Sequence, residues 1–283
     1  MTDFVRIFEM APRDGLQNEA VMISTADKVA LVDQLSACGF DHVEVTSFVS
    51  PKWVPQMADA AEVLAGIARK QGVAYTALTP NMRGYQAARA AGADEVAIFG
   101  SASEGFSQAN INCSIEESLA RFAPLVAAAL ADGIPVRGYV SCVVECPYDG
   151  AVAPETVARV ATDLLEMGCY EISLGDTIGA GVPETVSAML EAVLQEVPAG
   201  KLAGHFHDTN GRAVENIEVS LKAGLRVFDA AIGGLGGCPY APGAAGNVDT
   251  VAVAKRLAEL GYKTGLDIAR LEKVAAFAKG LVG

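Results

Sequence analysis

Basic residues are scarce in this sequence. Its 283 residues include 21 lysines and arginines against 34 aspartates and glutamates, which gives a formal net charge of -13. Nucleic acids and anionic membrane surfaces both attract proteins with a basic footprint, so this deficit argues against either partner. An anionic substrate would have to be bound by a few well-placed cations or by a metal ion.

Long apolar runs are also missing. No run reaches the roughly 20 residues that a transmembrane helix needs. The apolar segment that begins at Phe4 leaves no room for a signal or transit peptide before it, so we expect a soluble, cytoplasmic protein. The six cysteines of a chain without a secretory signal are expected to be free thiols.

Histidine is the third scarce residue type, with three copies in the chain. Two of these, His205 and His207, are one residue apart in the segment LAGHFHDT. Side chains alternate along an extended strand, so both imidazoles would point to the same face. Two side chains that bind one metal ion need such an arrangement. The alternative is that the two histidines merely decorate a strand. We favour metal binding because a chain with so few histidines places two of them together.

Glycine at the ends of helical stretches is what the sequence has in abundance. A helical pattern that ends in glycine recurs just before a strand-like segment at Gly39, Gly92, Gly168 and Gly224. Glycine is favoured just past a helix end because it adopts the left-handed conformation without steric cost. The recurrence indicates strands alternating with helices.

Eight strands are predicted in this way, and each is followed by an amphipathic helical pattern such as Ser24–Cys38. Eight such units favour a (β/α)8 TIM barrel in a single domain of residues 1–283, with one extra C-terminal helix at Asp267–Leu281. An open doubly wound sheet is the alternative, but Pro12–Leu16 lacks the glycine-rich phosphate fingerprint that it would need. The predicted strands are Val5–Ala11, His42–Ser47, Val73–Thr79, Glu95–Ser101, Val136–Val143, Glu171–Thr177, Leu202–Thr209 and Val227–Leu235.

Catalytic groups of such barrels lie at the carboxyl ends of the strands, and the loop after the first strand carries Arg13 and Asp14 there. Asp14 is a hard oxygen ligand, and the Arg13 guanidinium could stabilise an oxyanion. A local ion pair beside a glycine turn is the alternative. Glu44, on the second strand, is expected to pair with Arg13 and to orient it.

The glycine-rich and proline-rich segment Gly233–Asn247 is expected to bring two further groups to the barrel mouth. Cys238 could be a proton donor or acceptor, or a nucleophile. Asn247 could offer its amide oxygen to a metal. The side chains expected to position a substrate are Arg13, Ser47, Tyr139, Ser173, Asp176 and Thr177.

Two imidazoles, one carboxylate and one amide oxygen make a mixed nitrogen and oxygen ligand set. Such a set favours Mg2+ or Mn2+, with Zn2+ and Co2+ also possible. A site of two histidines and one carboxylate could equally hold non-haem Fe(II), which leaves an oxygenase as an alternative.

Six segments of the chain carry specific motifs, and they are PRDGLQNE (Pro12–Glu19), TSFVSPKWVPQM (Thr46–Met57), NINCSIEES (Asn110–Ser118), GCYEISLGDTIG (Gly168–Gly179), HFHDTNG (His205–Gly211) and GGLGGCPYAPGAAGN (Gly233–Asn247). Together these segments closely resemble the 3-hydroxy-3-methylglutaryl-CoA (HMG-CoA) lyase family, and the resemblance spans essentially the whole chain. The Arg-Asp pair also marks the wider metallolyase superfamily of TIM barrels.

The resemblance implies a metal-dependent retro-Claisen cleavage of HMG-CoA to acetoacetate and acetyl-CoA, as in leucine degradation. It implies a divalent metal bound by Asp14, His205, His207 and Asn247, and catalytic roles for Arg13, Glu44 and Cys238. The general base is either Asp14 or His205.

Several alternatives to this function stay open. They are a lyase or aldolase for a related 3-hydroxy-acyl-CoA, a Claisen-condensing acyltransferase of the same superfamily, and a non-catalytic metal-binding barrel. The expected partners are a small acyl-CoA substrate and a second copy of the chain in a homodimer.

Overall fold

The computed structural model describes residues 3–236 and 246–283. Eight parallel strands close into a barrel, which confirms the predicted TIM barrel, and a short hairpin formed by β6 and β7 follows β5. The strands are β1 (Arg6–Glu9), β2 (His42–Ser47), β3 (Ala74–Leu78), β4 (Glu95–Ser101), β5 (Val136–Ser141), β6 (Glu145–Cys146), β7 (Gly150–Ala151), β8 (Glu171–Asp176), β9 (Leu202–Phe206) and β10 (Val227–Ala230). Their order around the barrel is β1-β10-β9-β8-β5-β4-β3-β2.

Ten helices are found in the described residues, and they include the predicted C-terminal helix, which begins after Asp267. The helices are α1 (Thr25–Ser36), α2 (Ala60–Gly66), α3 (Met82–Ala90), α4 (Glu104–Ile111), α5 (Ile115–Ala131), α6 (Pro154–Met167), α7 (Pro183–Glu196), α8 (Ala213–Lys222), α9 (Thr250–Glu259) and α10 (Ile268–Val282). Helix α4 was not predicted as a separate helix. Ser103 caps α4 and Ser114 forms a capping box at the start of α5, so two helices follow β4.

Several strands end earlier than predicted because the chain turns into the loops of the barrel mouth. After β1, residues Ala11–Gly15 form a single π-helical turn. After β10, residues Ile232–Gly234 form a 3-10 turn in which Gly233 has a φ of 74°. These turns place side chains over the open end of the barrel.

The barrel interior is partly polar. Phe8, Met10 and Tyr139 are among the residues of a small apolar cluster inside it, and Arg137 is fully buried with its guanidinium 4.2 Å from the Phe8 ring centroid. None of the helices in the described part of the chain has the length and apolar character needed to cross a membrane.

Candidate metal centre

The two neighbouring histidines lie at the carboxyl end of β9. Their ring centroids are 5.3 Å apart, and the intervening Phe206 is buried in the main hydrophobic core. This arrangement confirms that the imidazoles share one face of the strand. The Nε2 atoms of His205 and His207 lie 3.9 and 3.8 Å from Asp14 Oδ2.

Asp14 is carried to this point by the π-helical turn after β1. The backbone N–H groups of Arg13, Asp14 and Gly15 all donate to the Met10 carbonyl. Arg13 pairs through Nη1 with Asp14 and through Nε with Glu44 Oε2 at 2.6 Å. The pairing of Glu44 with Arg13 that the sequence suggested is therefore present.

The charges at this turn keep Asp14 ionised. Burial by itself would raise the pKa of Asp14, but the Arg13 guanidinium, together with a hydrogen bond from His207, holds it well below its usual value. Burial opposes the charge on Arg13 as well, and the neighbouring Asp14 and Glu44 carboxylates raise the pKa of Arg13 above its usual value. Asp14 thus offers anionic oxygen atoms beside a permanent cation.

Asn247 reaches the same place from the last loop of the barrel. Its backbone forms an isolated bridge with His207, and its Nδ2 donates to Asp14 Oδ2 at 2.8 Å and to the Leu235 carbonyl at 3.2 Å. The four predicted metal ligands therefore converge. The amide nitrogen faces Asp14, so ligation by the amide oxygen requires the carboxamide to turn. Cys238 lies outside the described residues.

The donor set suits a divalent metal ion. Within the described residues, Asp14, His205 and His207 are the one group of three or more His, Cys, Asp or Glu side chains whose possible ligand atoms all lie within 4.8 Å of one another. The opposite ring nitrogen of His205, Nδ1, lies 3.1 Å from Asp229 Oδ2. Metal-binding histidines commonly bind a carboxylate in this way, which leaves Nε2 to face the metal.

A buried polar network below the site was not singled out from the sequence. Asp229 on β10 accepts hydrogen bonds from Arg137 and from Ser173 Oγ, the latter at 2.7 Å. Arg137 also donates through Nε to Glu171 Oε1 at 2.8 Å. The sequence signal that could have identified this network is a charged residue inside a mostly apolar strand, which is Arg137 in VRGYVS and Asp229 in VFDA.

The residues predicted to position a substrate lie in different settings. Tyr139 is next to the site, with Arg13 5.7 Å from its ring centroid and an edge-on contact to His205. Ser173 is buried below the histidines and bound to Asp229. Three others bind backbone groups: Ser47 donates to the Leu78 carbonyl, Asp176 accepts from Ala180 and Gly181, and Thr177 Oγ1 accepts from Cys142. Their roles toward a substrate stay predictions.

The chain is similar to known lyases over nearly its whole length. It matches the HMGL-like family over residues 4–278. A Pseudomonas aeruginosa protein named 3-hydroxy-3-isohexenylglutaryl-CoA/hydroxy-methylglutaryl-CoA lyase is 58% identical over 93% of this chain and 88% of its own length. Other relatives include lyases named as mitochondrial and as cytoplasmic.

Solved structures agree with this similarity. The crystal structure of HMG-CoA lyase from Brucella melitensis has 63% sequence identity and a TM-score of 0.98, and the match covers 99% of both chains. The HMG-CoA lyase structure from Acinetobacter baumannii, in complex with coenzyme A and 3-methylmalate, has 36% identity and a TM-score of 0.94 over 99% of this chain and 92% of that one. These similar proteins are named as HMG-CoA lyases. From these matches and the arrangement of Arg13, Asp14, His205 and His207, we conclude that the chain belongs to the HMGL-like family.

Proposed function

We propose that this protein is a carbon-carbon lyase that cleaves HMG-CoA to acetoacetate and acetyl-CoA. The observation that carries the proposal is the convergence of Asp14, His205 and His207 beside Arg13 at the barrel mouth, in a chain closely related to HMG-CoA lyases. The residues that we propose as metal ligands are Asp14, His205, His207 and Asn247. Mg2+ or Mn2+ suits this set best.

The reaction breaks the bond between C2 and C3 of the acyl chain after the C3 hydroxyl loses its proton. A divalent ion held by these ligands would make that hydroxyl more acidic. Asp14 and His205 are the two side chains that we propose as its base. Both lie at the site, where Asp14 Oδ2 is 3.9 Å from His205 Nε2.

We propose that Arg13 stabilises the thioester enolate that leaves. Within the described residues, its ion pairs engage Nε and Nη1 and fix the guanidinium plane, so we assign the Nη2 donors to the enolate oxygen. Loss of one such donor commonly lowers kcat by about 10²- to 10³-fold. We propose Cys238 as the acid that protonates the enolate to give acetyl-CoA.

The test is coupled detection of acetyl-CoA released from HMG-CoA, with and without Mg2+ or Mn2+. We expect no measurable activity in excess chelator, recovery on adding the metal back, and severe loss for Asp14→Ala. Asp163→Ala, at a partly exposed ion pair on α6, is the matched control and should retain full activity. Activity that persists in chelator or in Asp14→Ala would overturn the metal mechanism.

A longer acyl chain is a second candidate substrate. The Pseudomonas aeruginosa relative carries a name that includes 3-hydroxy-3-isohexenylglutaryl-CoA. Product analysis over a panel of 3-hydroxy-acyl-CoA thioesters would show which of the two substrates is cleaved more efficiently. Acetyl-CoA incubated with 2-oxo acids would reveal a condensing activity, and an oxygen electrode would reveal an oxygenase.

The homodimer and the cytoplasmic location stay proposals. The exposed helices of the barrel and the added helix α10 support a dimer, which sedimentation of the purified protein would test. Fractionation of the source cells would test the location.

A further inference from the structure

We propose that Asp229 is a positioning residue of the metal centre, and that Arg137 holds Asp229 in place across the barrel interior. In this arrangement Asp229 fixes the ring orientation and the tautomer of His205, so that Nε2 faces the metal ligands. The inference rests on the proposed metal site, and it adds two residues that bind neither the metal nor the substrate.

The contacts of Asp229 leave its carboxylate little freedom. Oδ2 lies 3.1 Å from His205 Nδ1, 2.7 Å from Ser173 Oγ and 3.1 Å from Arg137 Nη1. Oδ1 lies 2.8 Å from Arg137 Nη2. The exposed fraction is 1% for Asp229 and 0% for Arg137 and Ser173. Both oxygens are therefore engaged, away from solvent, by groups on three other strands.

The chemistry of these contacts determines which nitrogen of His205 carries the proton. An ionised carboxylate accepts hydrogen bonds and donates none, so His205 Nδ1 must be the donor. The neutral ring then has its lone pair on Nε2, which is the atom 3.9 Å from Asp14 Oδ2. Strand register supports the contact, because His205 on β9 is paired directly with Asp229 on β10.

Arg137 supplies the charge that permits an anion at this depth. Breaking a buried ion pair leaves an uncompensated charge and is strongly unfavourable. Arg137 makes a bidentate pair with Asp229, and its other side is held by Glu171 Oε1 at 2.8 Å and by the Phe8 ring. The guanidinium is thus fixed on two sides and can orient Asp229.

If the network had a purely structural role, substitutions at Asp229 and at Glu171 would weaken metal binding equally. Glu171 therefore provides the matched control. Glu171→Gln weakens the other ion pair of Arg137 without touching His205, whereas Asp229→Asn alters the contact to the ring. We expect Asp229→Asn to weaken Mn2+ affinity of the folded protein by about 10- to 100-fold, and Glu171→Gln to change it by less than about threefold. Titration calorimetry measures both, and the visible spectrum of bound Co2+ should change only in Asp229→Asn.

Equal loss of metal affinity in the two variants, or unchanged affinity in Asp229→Asn, would overturn the proposal. A measurement on the wild-type protein keeps the test independent of whether a variant folds. Long-range proton-nitrogen NMR of the three histidines at alkaline pH should show His205 protonated at Nδ1, and protonation at Nε2 would contradict the inference. If Mn2+ binds as expected but HMG-CoA is not cleaved, the proposed function fails while this inference stands.

Discussion

Glu9 links two turns of the barrel mouth without being a metal ligand. It is completely buried at the end of β1. Its Oε1 accepts from the backbone N–H groups of Ala11 and Ile232, and its Oε2 accepts from Thr250 Oγ1 at 2.8 Å. Burial raises the pKa of Glu9 to about 7, although all three hydrogen bonds act to lower it. The turn that carries Asp14 is thus tied to the turn after β10 by one carboxyl group.

This raised pKa predicts a pH-dependent stability that Glu9→Gln should remove. The folded-state pKa of about 7 lies above the ordinary value of 4.5, so the contribution is complete below about pH 4.5 and is lost as the pH rises toward 7 and beyond. The loss amounts to about 3 kcal/mol at most. We expect the free energy of unfolding of the wild type, relative to Glu9→Gln, to fall between pH 5 and pH 8. Denaturant titrations measure it, and a difference that stays constant would refute the assignment.

Individual site residues differed in how far the sequence could predict them. Alternation along a strand was enough to place His205 and His207 on one face, and the strand-end rule was enough to place Asp14 near them. The side-chain network of Asp229 and Arg137 was not predicted. Strands of a barrel are buried on both faces, so an inward-facing charge has no polar neighbours in sequence to mark it.

At the scale of elements, the eight predicted barrel strands were right in number and order, but several were too long, and the hairpin strands β6 and β7 were not predicted. The apolar pattern of a strand continues into the turn that follows it, so the pattern does not show where the strand ends. Hydrogen bonds to residues distant in sequence decide where strand pairing stops. The bridge between His207 and Asn247 joins residues forty positions apart. No local pattern encodes that contact.

Gly236 lies where the loop after β10 approaches the turn after β1, and replacing it should damage the proposed metal centre. Its φ is +101°, and an added Cβ would lie 2.8 Å from Asn247 Nδ2 and 3.2 Å from the Asp14 carbonyl oxygen. Gly236→Ala should therefore displace Asn247, with a loss of turnover on the order of 10²-fold. Steady-state kinetics with HMG-CoA measure it.

Gly261→Ala is the matched control for this change. Gly261 also has a left-handed φ, +85°, but a Cβ there meets no atom within 4 Å. Both variants carry the backbone strain of about 1 to 2 kcal/mol, and only Gly236→Ala should lose activity. Equal kinetics in the two variants would show that the close approach at Gly236 does not matter for function.

For the molecule as a whole, α10 joins the first and last units of the barrel. It packs against α1, α9 and the turn at Ile232–Gly234. At its start, the Asp267 N–H donates to the Cys38 carbonyl and Arg270 Nη1 donates to the Ala37 carbonyl. The sequence was sufficient to predict this helix, but not that it would connect the two ends of the barrel.

Leu271→Ala should therefore destabilise the whole domain. Leu271 is fully buried on α10, and a leucine-to-alanine change in a core costs about 2 to 5 kcal/mol. Leu260→Ala, where the leucine is 41% exposed, should cost less than about 1 kcal/mol. We expect kcat per folded molecule to be unchanged in both. Thermal and denaturant unfolding give the comparison, and equal losses would contradict a role for α10 in holding the barrel together.

The two-residue spacing of the histidines on β9 has a consequence for how this segment can change in length. Deleting or inserting one residue between Leu202 and His205 would exchange the two faces of the strand beyond that point, because the side-chain period of a strand is two. Phe206 would then point into the polar interior and both imidazoles toward the surrounding helices. A change of two residues preserves the faces but shifts His205 away from Asp229 on β10. We therefore expect evolutionary change in β9 to occur by substitution and not by insertion or deletion. The length of this strand should be invariant in relatives that keep the same proposed metal centre.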